Sequence, residues 1–430
     1  MEASDARHLL RRCGYGSRPS DLSPFLSLTR SQAVSRVMKF SPNGAVTTMP
    51  VELADDSMGL WRQNIVLTNW WLERWKNVAA PLEEKLLWFF HDHFATSSRK
   101  LEYGHQMWDQ LVGVRANLLG NYPQMVQGVA KSPAMLMYLD NWRNRVGRPN
   151  ENFARELMEL HVLGRGNYSE MDIVEGARAW TGHGLDEEKR YYKFNARDHD
   201  DRQKTIFGVR RAWSGPQVID YMFTDATLRN HAARHLAASM WVFFASEEPN
   251  EAGISRMASR FISSGWSLAG LVRDMFMSDE FYGSSVKNSL ARAPMEWVSD
   301  LMRSAGLGTD IARPEWYLGR MGQRPFAPPS PAGWGSSDQW LTVTCEWAKG
   351  DFARHLTWKL DEAGFMGGVK DMSPSQSVAR VLDTFGLGHV SSSTRRTIED
   401  YVVAERARRG WAELVNQVTL TMMSPECALA

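Results

Sequence analysis

The chain has 430 residues, enough to bury a large core, and its 43% hydrophobic and 23% charged residues are ordinary globular composition. Fifty basic against forty-nine acidic residues leave a formal net charge of +1, which argues against a nucleic-acid partner and against a solvating acidic tail. Cys13, Cys345 and Cys427 are too few and too scattered for a disulfide framework or a structural zinc site.

The opening residues, Met1 to Arg7, are polar and lack the apolar stretch of an export peptide. The most apolar window, Leu236 to Ala245, is too short to span a bilayer and contains Ser239. A cytoplasmic protein without a membrane span is the expectation. Eighteen tryptophans are the one compositional oddity. Each offers a large apolar face and one N–H donor, suited either to plugging gaps between helices or to lining a sugar- or ring-binding cleft.

Helical periodicity dominates, so the predicted fold class is mainly α, one large multi-helix unit over residues 1–430. Met58–Trp75 carries Leu60, Trp61, Ile65, Val66, Trp70, Trp71 and Trp75 at three- and four-residue spacings. Pro81 opens the next helix, which runs through Leu86, Leu87, Phe89 and Phe90 towards His91. Further amphipathic segments are Met107–Leu119, Tyr122–Val129, Glu151–Leu163, Glu170–Trp180, Gln217–Ala238, Ala252–Phe261, Leu268–Met277, Glu296–Ser304, Gln376–Phe385, Arg395–Arg408 and Trp411–Met422. Asn150 reads as an N-cap, Gly164 as a C-terminal stop, and Ser169 with Asp172 as a capping box.

One β-hairpin is predicted over about 190–208, with Tyr191–Phe194 and Thr205–Phe207 flanking a long polar loop, Asn195–Lys204. A Pro/Gly/Ser-rich surface loop over 324–338 offers a subdivision into 1–323 and 339–430.

Three clusters could carry chemistry. His91 and His93 would share a face, as metal ligands must, only if the helix ends near His93; otherwise they point about 200° apart. Histidines at a helix C-terminus also suit its last carbonyls. In the second cluster Asn152, Glu156 and Glu159 form one helical stripe, with Glu156 or Glu159 as base or ligand and Arg155 orienting an anionic group. Glu151–Arg155 and Arg155–Glu159 pairs on a solvent face would explain the same residues. Asn150, Asn152 and Trp334 are the candidate substrate contacts.

The third cluster is Asp198-His199-Asp200-Asp201, whose His199 and Asp200 are candidate ligands for a divalent ion. Arg197 and Arg202 flank it and could neutralise it alone. His231 and His235 stand four apart on a helix without the glutamate of a zincin motif, and read as structural. No phosphate-binding glycine loop, nucleophile elbow or dinucleotide fingerprint occurs.

Several runs resemble a bacterial family, the domain-of-unknown-function 1800 family. They are His8-Leu9-Leu10-Arg11-Arg12-Cys13-Gly14-Tyr15-Gly16, Phe90-His91-Asp92-His93-Phe94, and Pro149 through Leu160 continuing to Thr181-Gly182. His199-Asp200, Lys204, Gly208, Met321-Gly322-Gln323, Pro328-Pro329 and Gly333-Trp334 complete the pattern. The histidine motif of the family is usually Trp-His-Asn-His-Phe, so Phe90 and Asp92 depart from it, and His161 and His183 stand where the family resemblance implies an aromatic or hydroxyl residue and a Trp. The resemblance implies a largely helical fold and no established activity. Many members look exported and stand beside a sulfatase-like protein, a possible partner by analogy. This chain starts almost at the motif, so export is not expected of it.

Two functions follow as expectations. One is a metal-assisted hydrolase or related enzyme, acting on a small-molecule or polymer substrate, in which the three clusters converge and a divalent ion activates water. The other is a binding or assembly module that takes carbohydrate or protein on a tryptophan-rich surface.

Overall fold

The computed structural model describes every residue except Tyr15, 41–47, Ser336, Lys370 and 410–412. Tyr15 of the opening motif, Ser336 of the Pro/Gly-rich loop and the predicted helix start at Trp411 therefore lie outside the described residues. The architecture is mainly α, with two small two-stranded sheets. Among the described residues no helix is long and apolar enough to cross a membrane.

The pattern of the Leu60–Asn77 helix explains its place. Asn64, Leu67, Thr68, Trp71, Leu72 and Trp75 recur every three or four residues, and all are buried. The Leu82–His93 helix is buried on all sides, from Leu82 through His91. Such a helix is ordinarily apolar throughout, so its Glu83, Glu84 and Lys85 must find partners. Glu84 accepts from Trp71 Nε1 (2.9 Å), Arg74 Nε (2.6 Å) and Arg115 NH2 (2.6 Å), and Glu83 accepts from Arg74 and Arg115 as well. Two carboxylates and two guanidiniums thus tie three helices together.

Among the described residues seven tryptophans are fully buried, including Trp71, Trp88, Trp180 and Trp241, so plugging gaps is the commonest use of this residue there. Trp61, Trp316, Trp347 and Trp358 are exposed. The closing segment returns to the start of the chain, where Arg11 donates to the carbonyl of Glu426 (2.5 Å) and Arg292 N–H to that of Ala428 (2.8 Å).

Three expectations are corrected. Both predicted strand segments exist, but they do not pair with each other. β1 (His183–Leu185) pairs with β2 (Tyr192–Phe194), and β3 (Lys204–Ile206) pairs with β4 (Val209–Arg211), both antiparallel. Phe207 and Gly208, with φ of 49° and 76°, make the two-residue turn of the second hairpin. Local closure won over the long loop.

The single helix expected over Gln217–Ala238 is two, Gly215–Thr224 and Leu228–Phe244. Asp225 breaks it by accepting from the backbone N–H groups of Thr227 (2.9 Å) and Leu228 (3.0 Å). The Pro/Gly-rich stretch is exposed at Pro329, Ala332, Gly335 and Asp338 but is not wholly a surface loop. Phe326 is wholly buried against Trp71 and His91, and Trp334 stacks on Trp88 with ring centroids 5.0 Å apart.

Candidate functional site

A chamber of about 550 Å³ opens beside the Leu82–His93 helix. That helix contributes Lys85, Trp88, Phe89 and Asp92, spaced i, i+3, i+4 and i+7 along one face. The Leu228–Phe244 helix faces it with His235, Ala238, Ser239 and Val242 at the same spacing. Two small residues in the middle of that stripe leave room between the helices. Arg12 comes from the end of the first helix, Arg292 and Glu296 from around the start of Pro294–Ala305, Gln323 from just before the Pro/Gly-rich stretch and Trp334 from within it.

Asp92 is the most perturbed acid in this chamber. Burial pushes its carboxyl up to about 7, against a single backbone N–H, from Trp334, that donates to Oδ1 at 2.8 Å. Gly333 makes that bond possible. It sits at φ +77°, and a Cβ there would stand 2.0 Å from Asp92 Oδ1. Only glycine lets the loop close this tightly over the carboxyl. Lys85 ion-pairs with Glu296 (3.0 Å), its pKa lowered by burial, and Gln323 Oε1 accepts from Met295 N–H (2.8 Å).

His93 also lines the chamber, but as a clasp. Its Nε2 donates to the carbonyl of His161 (3.1 Å), while His161 Nδ1 donates to the carbonyl of His93 (2.9 Å). Tyr122 Oη donates to the same His161 carbonyl (2.6 Å), and His235 Nε2 to that of Leu160 (2.7 Å). The Asn152–Glu156 helix widens into a π-turn over Leu157–Val162, and its last carbonyls need donors from elsewhere. Histidines at helix C-termini therefore do bind last carbonyls, though each does so on the other helix. Burial and the neighbouring His235 and His161 hold His93 well below the usual imidazole range.

The expected convergence of three clusters does not occur. The helix does end at His93, yet both histidines lie within it and diverge, as residues two apart on a helix must. His91 Nε2 accepts from Phe326 N–H (3.1 Å) and packs among Trp71, Trp88 and Phe326. Burial lowers its pKa to about 3. His93 meets the helix of the second cluster at His161, through its backbone carbonyl and its ring, and not at Glu156 or Glu159.

The other predicted residues have partners of their own. Glu159 is taken by Arg165 (2.7 Å) and Tyr168 Oη, and Arg155 makes a two-pronged pair with Glu170 (3.0 and 2.7 Å) and reaches Glu151 (3.3 Å). This is the salt-bridged face: the expected Glu151–Arg155 pair is present, while Glu159 pairs with Arg165 instead of Arg155. Glu156 is half-buried, and burial and Glu159 raise its pKa. Asn150 Oδ1 accepts from Asn152 N–H (3.0 Å), and Asn152 Nδ2 donates to the Leu139 carbonyl (3.3 Å). They fix the helix entry.

Asp200 is buried under Arg178 and Arg202, whose bonds of 2.7–2.9 Å hold it well below the usual carboxylate range. His199 Nδ1 donates to the Thr181 carbonyl (2.8 Å). Among the described residues no three His, Cys, Asp or Glu side chains stand together as a metal ion requires. The donor set of His91, His93, His199 and Asp200 does not fit one ion, because each residue is already committed to a different neighbour.

Of the ten residues singled out in the sequence, the chamber uses His93 and Trp334. Reasoning from sequence missed Arg12, Lys85, Asp92, Glu296 and Gln323 as site residues. Arg12, Asp92 and Gln323 do sit inside the runs that carry the family resemblance, and that signal could have found them. A model of the family described as "Protein of unknown function (DUF1800)" matches residues 8–429. The chain belongs to that family. No curated protein and no solved structure matches the chain. The family's opening, histidine, Met-Gly-Gln and Gly-Trp runs, far apart in sequence, all place a residue in the chamber wall.

Proposed function

We propose that the chain is an enzyme of the acid–base type, hydrolytic or related, and that a small polar substrate reacts in the chamber with Asp92 exchanging a proton with it. The observation that carries this reading is a carboxyl raised to about 7 inside a largely apolar chamber of ligand size. At neutral pH such a group is present in both forms, as a general acid or base needs. The Lys85–Glu296 pair supplies fixed charge nearby, and the Trp88–Trp334 stack supplies a flat wall. Asp92 stands where the family's motif usually has asparagine, so the role belongs to this chain and not to every member. Water activation in this reading rests on Asp92.

A binding or assembly module is the second reading. It is favoured by Trp347 and Trp358, 70% and 54% exposed on the Val343–Glu362 helix.

The test is turnover of a panel of glycosides and carboxylate, phosphate and sulfate esters by the full chain and by Asp92→Asn. Asparagine keeps an acceptor for Trp334 N–H, so folding should be preserved. The expected result is turnover whose pH profile bends near 7, lost by roughly 10²–10⁴-fold in the variant. Turnover indifferent to Asp92→Asn would overturn the acid–base reading, and no turnover across the panel would favour the binding module.

A further inference from the structure

Charge and donor balance in the chamber is uneven. Lys85 is matched by Glu296 (3.0 Å) and Arg292 by Asp300 (2.9 Å). Arg12, only 1% exposed, binds neutral oxygens instead: the carbonyls of Ala245 (2.9 Å) and Val286 (2.7 Å) and the Ser289 hydroxyl (3.2 Å). Its Nε–H is buried without an acceptor, and so is the indole Nε1–H of Trp334. Glu247 stands at the exposed rim, bonded to Ser337 N–H (2.5 Å). Glu296 is the carboxylate whose field reaches Arg12, and Lys85 already pairs with it, so two buried cations share one counter-charge. That shortfall and buried N–H groups without acceptors are both costly, and an oxygen-rich anion relieves both.

We infer that the chamber takes a small ring-bearing ligand with an anionic oxyacid group, a carboxylate, phosphate or sulfate, held by Arg12 and the Trp334 indole N–H. This rests on the reading of the chamber as a substrate site and names the class of substrate. The ring lies against the aromatic wall of Trp88, Trp334 and Phe243. Lys85 packs over Phe243, with Nζ 5.7 Å from the ring centroid, and adds positive potential from behind. Arg12 keeps its charge at neutral pH, since burial lowers its pKa only to about 9.

The test is calorimetric titration of the full chain at pH 7.5 with benzoate, phenyl phosphate, phenyl sulfate and, as the neutral counterpart, benzamide. One or more anions should bind at least about tenfold more tightly than benzamide, and the preferred anion identifies the oxyacid. Trp334→Phe keeps a ring and removes the N–H, and should weaken the anion by about 5- to 10-fold while leaving the melting temperature close to that of the parent. Arg12→Gln should abolish the preference for anions wherever the variant folds.

Benzamide binding as well as the anions, binding of none of the four, or a Trp334→Phe variant with undiminished anion affinity would each overturn the inference. Asp92→Asn separates the two claims. If the acid–base reading alone is wrong, anions still bind the parent and turnover survives the substitution. If the anion inference alone is wrong, turnover is lost with Asp92 while charged and neutral ligands bind alike.

Discussion

Replacing Glu84 with alanine is expected to cost about 3–5 kcal/mol of stability, the range found when one member of a buried ion pair is removed. Glu84 is wholly buried and accepts from Trp71, Arg74 and Arg115. Without it two guanidiniums share Glu83 alone, one positive charge is left uncompensated, and the Trp71 N–H loses its acceptor. The attraction within the intact quartet contributes less to this figure than the penalty of the charge left behind. Urea unfolding of the parent and the variant, followed by circular dichroism, measures the difference. A loss below about 1 kcal/mol would mean that water reaches the quartet and that it behaves as a surface pair. The quartet also holds the Leu82–His93 helix in the rotation that turns Lys85 and Asp92 into the chamber.

Acidification from pH 7.5 to 5.5 should destabilise the chain by at least about 3–5 kcal/mol, well before ordinary carboxylates titrate. Burial is the first cause of the depressed pKa values of His8, His91 and His183, each near 3, and of His161, near 4. In the unfolded chain these imidazoles protonate around 6.5. Between 6.5 and the folded values the unfolded state therefore binds more protons, so the stability fully present above 6.5 is lost as the pH falls. Each histidine contributes a limiting slope of about 1.4 kcal/mol per pH unit. Asp92 opposes them, because its raised pKa makes the folded state bind the extra proton between the unfolded carboxylate range and about 7. One acid offsets only part of what these four histidines lose, and His389, also near 3, and His93, held well below the imidazole range, add to the loss. Urea midpoints at the two pH values check this, and an unchanged midpoint would contradict it.

Periodicity sufficed for most of the helices because their buried stripes are plain, as Leu268–Met277 shows by matching its predicted bounds. It failed on Val343–Glu362, the longest helix among the described residues, whose charged residues and Gly350 blur the stripe. The Ser169–Asp172 capping box is present, since its chemistry is local to four residues. The site was less legible because its members meet only through tertiary packing. Lys85 and Asp92 share a stripe with Trp88 and Phe89, but in sequence that stripe reads as an apolar helix with stray charges. Asp92 was noticed for departing from the family's usual asparagine, and the burial that raises its pKa cannot be read from spacing. The clusters that looked most reactive, Asp198–Asp201 and Asn150–Glu159, are dense in charge for structural reasons: Arg178 and Arg202 neutralise Asp200, and Glu170 neutralises Arg155.

The protonation of Asp92 is the most direct measurement of the central claim. Difference infrared spectra of the parent minus Asp92→Asn, taken across a pH series, isolate the carbonyl band of this one carboxyl. The band of a protonated acid should be present at pH 5.5 and should vanish with a midpoint near 7, in step with any bend in the pH profile of turnover. A carboxyl already ionised at pH 5, with no band in the difference spectrum, would contradict the account.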